Sequence, residues 1–494
     1  MQCAVGSVAA RCALIGSLAA CAAPARPAAA NAAEPMPAAR APAELAPAPA
    51  GPSPAGPSPA VAGRAATPVA TADASAAAPP PPPAAAPPID LALAARYFAE
   101  ADQACRAEAG QLWGVSLCGP MLFVDPASRF AVASQADAAA ALTPRGEIHV
   151  GTLPVGSPVA NTAFDWSGVR WSEIVWPGIP DDPQARRILF LHESFHRIQP
   201  ELGARPSEGD NRHLATADGR ALLRLEWRAL AAALAGTGAE RTRAAADALA
   251  FRAARRRRWA AAAAAERALE TNEGLAEYTA RRIAGASEGE RSELARAALA
   301  AAEARPSYVR SFAYGSGPAY GTLLDQAGAA WRRRALAGAD LGDLLAGALH
   351  LPPAGAAHPR EAAYGGNAVR REEAERDAAH QQRVAVLRAH LIDGPTLTLP
   401  ARQPRINFNP NEVEPLGDAG TAYPTLRAAD AWGELVVTSG GALLSPDWST
   451  IIVGAPADPT ARPLRGDGWE LPLTPGWSIE RGSRPGDWVL RGPP

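Results

Sequence analysis

No lysine occurs among the 494 residues. That absence excludes lysine Schiff bases, pyridoxal phosphate attachment and the lysine of a phosphate-binding loop in one step. An excess of one charge is also missing. The formal net charge is -2, whereas nucleic-acid binding calls for a basic face, so no nucleic-acid partner is expected. The run Arg255 to Arg258 is the one concentrated basic patch, and its alanine-rich helical setting reads as a solvated helix face. Cysteine is scarce at 5 residues and histidine at 8. Clusters of either therefore carry information. Cys3, Cys12 and Cys21 lie in the first stretch, which leaves Cys105 and Cys118 as the one pair further along.

The first residues read MQCAVGSVAARCALIGSLAAC, with Arg11 ahead of a short apolar run. Such a run is too short for a membrane span and has the form of an export signal. Leu18-Ala19-Ala20-Cys21 resembles a bacterial lipobox, which implies a lipidated Cys21 and a membrane anchor; ordinary secretory cleavage is the alternative. Residues 22–88 are almost all Ala, Pro, Gly, Ser and Thr. They hold too little large apolar surface to offset the entropy of ordering, and read as a disordered tether on the order of 50 Å long. The chain is thus expected to be exported and lipid-anchored to a bacterial envelope, facing the periplasm or exterior. In that compartment a Cys105–Cys118 disulfide is the economical reading, with a metal site using both sulfurs as the alternative.

The folded part is expected from about Ile89. LALAARYFAEADQACRAEAGQLW has helical spacing, while PMLFVDP, GEIHVGTL and GVRWSEIVW read as strands. PDDPQARRILFLHESFHRIQPELG predicts a helix with Asp182 as N-cap and Pro183 at its first position, ended by Pro200 and Gly203. Further helical patterns run through 219–235, 239–283 with breaks, 292–304 and 368–391. After Gly394 the texture changes to TLTL, GELVVTS and STIIVGA between Gly/Pro/Asp turns, studded by Trp469, Trp477 and Trp488. The predicted order is signal 1–21, tether 22–88, a mainly helical domain with a small N-terminal sheet at 89–393, and a small all-β domain at 394–494, an α+β chain.

Within the predicted helix, His192, Glu193 and His196 form H-E-x-x-H. Residues four apart leave a helix from one face, so both imidazoles reach one zinc ion, and the neighbouring carboxylate can take a proton from zinc-activated water. Two core histidines bonded to backbone would be the bland alternative. Downstream, Asn272-Glu273-Gly274-Leu275-Ala276-Glu277-Tyr278 resembles the glutamate helix of gluzincin zinc metallopeptidases. Carried over by position, the resemblance implies Glu273 as third zinc ligand, Glu277 as the carboxylate orienting a ligand histidine, and Glu193 as general base. It also implies Gly274 as the point of close approach to the active-site helix. A solvated stripe of Glu266, Glu270, Glu273 and Glu277 is the alternative.

The resemblance covers two short stretches and names a class, not a subfamily. The separation from His196 to Glu273 is longer than in thermolysin-like or aminopeptidase branches. Val159-Ala160-Asn161-Thr162 lies where aminopeptidases of this class carry a Gly-x-Met-Glu-Asn strand, but lacks the glutamate. Binding of a free substrate amino terminus is therefore not expected. Tyr314 and Tyr320, in the glycine-rich FAYGSGPAYG that reads as a loop, are the candidate oxyanion donors. The implied fold is a zincin-like domain followed by the β domain. The implied activity is zinc-dependent hydrolysis of a peptide or protein substrate; the alternative is an envelope protein using the same scaffold for binding or assembly without catalysis. Gly285-Ala286-Ser287-Glu288-Gly289 fits the serine-hydrolase elbow but follows a helix end instead of a strand, so a loop is expected there. His213 reads as a surface-loop residue, with a place lining the cleft as the alternative.

Overall fold

A computed structural model describes residues 87–493, apart from 155–156, 205–206, 208 and 409–412. The expected signal, Cys21 and the tether up to residue 86 lie outside the described residues. The chain is α+β. It opens with helix α1 (Leu91–Glu108), capped by the Asp90 side chain, which accepts from the Leu93 N–H at 3.0 Å. Six strands come next: β1 (Met121–Val124), β2 (Phe130–Ala133), β3 (Thr143–Arg145), β4 (Ile148–Thr152), β5 (Thr162–Trp166) and β6 (Val169–Val175). They form one sheet in the order β3-β4-β2-β1-β6-β5, with β1 and β6 parallel and the other pairs antiparallel. Side chains alternate across it. Met121, Phe123 and Ile174 pack with α1 on one face, while Leu122, Val124 and Trp171 build a second cluster on the other.

Helix α2 (Pro183–Ile198) lies against the first of these faces through Phe190. Its start obeys the sequence signals: Asp182 accepts from the Ala185 N–H at 2.7 Å and Pro183 takes the first turn, where no N–H is needed. Three contacts then fix it. Ser172 Oγ donates to the Glu193 carbonyl at 3.2 Å. Arg197 Nη2 donates to the carbonyls of Leu117 and Cys118, both at 2.9 Å. The Arg170 guanidinium donates to the Arg197 carbonyl at 3.1 Å. Cys105 and Cys118 are disulfide-bonded with Cα atoms 5.2 Å apart, so the segment holding Arg197 is itself closed onto α1, and neither sulfur is left for a metal.

The helical layer continues as α3 (Ala217–Ala235), α4 (Gly238–Arg258), α5 (Ala262–Leu269), a π turn (Glu270–Gly274), α6 (Leu275–Ala284), α7 (Glu288–Glu303) and α8 (Phe312–Gln326). Phe195, Trp227, Phe251, Tyr278, Phe312 and Leu323 belong to its core. Three sequence expectations change here. FAYGSGPAYG is helix, not loop, because glycines there allow close packing: a Cβ at Gly317 would come within 2.2 Å of the Gly274 carbonyl oxygen. The Arg255–Arg258 run is not simply a solvated face. Arg255 is fully buried and donates to Glu226 and Glu266, both at 2.6 Å, while Arg256 pairs with Glu266 and Asp340; Arg257 and Arg258 face outward. His213 is also buried, its Nε2 2.9 Å from Glu266. The charges of Arg255 and Arg256 are tolerated there because each has a carboxylate partner. Of the Gly285–Gly289 stretch, Gly285 to Ser287 form the expected loop and Glu288 and Gly289 already belong to α7; Ser287 caps that helix in a reciprocal capping box with Glu290, as expected of a helix start and not of a nucleophile.

A long, mostly exposed helix (Gly366–Arg388) leads to the C-terminal strands. These form a seven-stranded and a five-stranded sheet over a shared core that includes Leu397, Leu399, Trp432, Leu435, Ile451 and Trp469. Trp477 and Trp488 pack at the margin of that core. No helix among the described residues is long and apolar enough to cross a membrane.

Candidate metal centre

Helix α2 presents His192 and His196 one turn apart, with their Nε2 atoms 3.0 Å from each other. Glu273 Oε2 lies 3.3 Å from each of them. A tetrahedral zinc site with bonds of about 2.0–2.1 Å requires ligand atoms about 3.3 Å apart, so the three side chains fit such an ion. The other ring nitrogens face acceptors. His192 Nδ1 is 2.9 Å from Glu277 Oε2, and His196 Nδ1 is 2.8 Å from Gln199 Oε1. Arg281 steadies Glu277 by an ion pair of 2.7 Å.

The glutamates reach the histidines because of the π turn. In an unbroken α-helix Glu266, Glu270, Glu273 and Glu277 would share one face. The wider turn from Glu270 to Gly274, closed by the Leu275 N–H donating to the Glu270 carbonyl, adds a residue and rotates the side chains beyond it by roughly 100°. Glu266 and Glu270 therefore enter the arginine network, where Arg252 donates to Glu270 at 2.8 Å, while Glu273 and Glu277 enter the histidine site. All four are buried, which removes the solvated-stripe reading. The close approach expected between Gly274 and the active-site helix is instead made with α8, at Gly317.

Carboxylates crowd the two histidines: Glu273 lies against both rings and Glu277 against His192, while Glu277 is itself paired with Arg281. This crowding sets the direction in which each histidine's pKa moves. Burial opposes charge on His192, yet Glu273 and Glu277 outweigh it and raise its pKa well above the ordinary value. His196 moves in the same direction, burial being outweighed by Glu273. Glu273, despite burial, is held far below the usual carboxylate range by the two histidines. Burial raises Glu193, whose Oε2 is enclosed and makes no hydrogen bond among the described residues.

Tyr314 stands beside the group. Its ring lies parallel to His192, centroids 5.4 Å apart, and its hydroxyl donates to Glu273 Oε2 at 2.7 Å. Burial and the Glu273 charge keep the phenol protonated. Tyr320 is not brought here. It is fully buried and donates to Glu226 at 2.7 Å in the arginine network. Gln199 and Asn272 join His196 to Glu273; Asn272 stands in the Asn-Glu-Gly stretch without a role assigned to it, and Gln199 lies outside both motifs. The one sequence signal for Gln199 is its place three residues after His196, at the C-cap of the helix. The chain matches no family model, no curated protein and no solved structure.

Behind the helix, on strand β6, Glu173 is fully buried, and burial pushes its carboxyl up to about 8 from an ordinary 4.5. The native state then holds a proton that the unfolded chain releases, so between about pH 4.5 and 8 stability falls as pH rises. Thermal melts of wild type across this window are expected to lose on the order of a few kcal/mol, and Glu173→Gln to flatten that slope. Parallel profiles for the two proteins would reject the assignment.

Proposed function

We propose that this chain is a zinc-dependent hydrolase of peptide bonds, built on a zincin-like domain whose site plan resembles that of gluzincin metallopeptidases. One observation carries the reading: three potential ligand atoms from α2 and the π turn converge at 3.0, 3.3 and 3.3 Å. His192, His196 and Glu273 would hold the ion. When bound, zinc supplies Lewis acidity toward water and toward a substrate carbonyl. Glu193 lies next to His192 on the same buried helix, with a carboxylate oxygen free of other partners among the described residues. It accepts the proton of the attacking water and returns it to the leaving amine. The Tyr314 phenol, kept protonated, is the available donor for an oxyanion. Glu277 holds His192 with its Nδ1 occupied.

The Leu18–Cys21 pattern and the long Ala/Pro-rich stretch support export and lipid anchoring, and the Cys105–Cys118 disulfide suits an oxidising compartment. The substrate would then be a peptide or protein of the envelope or exterior. The test is cleavage of a mixed peptide library by the purified protein. Cleavage is expected to stop on chelation and return with added zinc. Cleavage indifferent to chelation would reject the zinc reading, and bound zinc without cleavage would favour the binding scaffold.

A further inference from the structure

We infer that Gln199 is a positioning residue that decides which ring nitrogen of His196 faces the metal. The inference rests on the proposed metal site. Gln199 directly follows the last residue of α2 and is 1% exposed. Its carboxamide has a donating end and an accepting end, and the surroundings leave no choice between them. Gln199 Nε2 lies 3.2 Å from the backbone carbonyl oxygen of Asn272. A backbone carbonyl only accepts, so the nitrogen end must face it. The oxygen end then faces His196 Nδ1 at 2.8 Å. Because that oxygen only accepts, Nδ1 must carry the hydrogen. A neutral imidazole protonated there keeps its lone pair on Nε2. This is the atom that points at His192 Nε2 and Glu273 Oε2.

The relay of contacts thus runs from a group with no freedom, a main-chain carbonyl of the π turn, to a ligand lone pair. The same amide also reaches the glutamate. Gln199 Nε2 lies 3.2 Å from Asn272 Oδ1, and Asn272 Nδ2 donates to Glu273 Oε1 at 3.2 Å, leaving Oε2 toward the imidazoles. The two histidines are thus oriented by unlike groups. His192 has the carboxylate of Glu277, neutralised by Arg281. His196 has a neutral amide, since a carboxylate at position 199 would meet the Asn272 carbonyl acceptor to acceptor and add charge to an anionic site.

Two variants separate orientation of His196 from mere bridging of the helices. Gln199→Leu removes both ends of the amide. Gln199→Glu keeps an acceptor for His196 Nδ1 and loses the donor to Asn272. Zinc affinity of the full chain, measured by chelator competition beside the melting temperature of each metal-free form, is expected to fall 10- to 100-fold in Gln199→Leu. It should stay within about tenfold of wild type in Gln199→Glu, and clearly above the leucine variant. Equal losses in both variants would reduce Gln199 to a bridge and overturn the inference, as would a leucine variant that binds zinc like wild type. A wild-type chain that takes up no zinc overturns the metal reading itself and this inference with it, a result distinct from the other two.

Discussion

Glu193→Gln should leave the protein folded and loaded with zinc while hydrolysis falls by at least ~10²-fold, the usual scale for losing a general base. The substitution keeps the shape of a side chain that is 4% exposed, so the packing around it should be unchanged. It removes the one property the proposal needs, a carboxylate able to accept a proton. Glu193 is not among the three side chains whose atoms converge, so metal content should not move. Burial has already raised its pKa, which makes it a stronger base than an exposed carboxylate. Peptide hydrolysis and metal content are measured on the same preparation. Loss of zinc would make Glu193 structural, and full activity would assign the chemistry elsewhere.

The second large effect is expected at a residue with no side chain, in Gly317→Val. A Cβ there would sit 2.2 Å from the Gly274 carbonyl oxygen and 2.4 Å from its Cα, contacts that no rotamer relieves because both are backbone. Helix α8 would have to move off the π turn that carries Glu273, taking Tyr314 with it. We expect a loss of about 3 kcal/mol or more and a matching loss of zinc affinity. Gly347→Ala is the control, because a Cβ there meets nothing within 4 Å and sits in a helix, where alanine is favoured. Thermal melts of the three proteins decide it. A Gly317→Val protein that melts with wild type would mean that α8 does not hold the site.

The features legible in the sequence are those that local chemistry determines. The Asp182 cap, Pro183 and the apolar spacing around His192 define α2 without help from the rest of the chain, and the structure has that helix where these signals put it. The strands holding Phe123, Val150 and Ile174 are legible for the same reason. The change to β structure near Gly394 is legible from its turn residues. Helix α8 is not, because Gly315, Gly317, Pro318 and Gly321 all favour a turn locally. It is helical because Gly317 and Gly321 lie against Gly274 and Tyr278, a tertiary reason. The burial of Arg255 is hidden likewise, since Glu226 and Glu266 come from α3 and α5. The site is half visible. H-E-x-x-H and Asn-Glu-Gly stand out in the sequence, but the π turn that splits Glu266 and Glu270 from Glu273 and Glu277 is a slip in hydrogen bonding that periodicity does not record.

The most direct test is the metal content of the purified full chain by plasma mass spectrometry, for wild type and for Glu273→Ala. About one zinc per chain is expected in the first and little in the second, because removing one of three protein ligands from such a site is rarely tolerated. Wild type without zinc, or Glu273→Ala with an undiminished share of it, would mean that these three side chains do not form a zinc site.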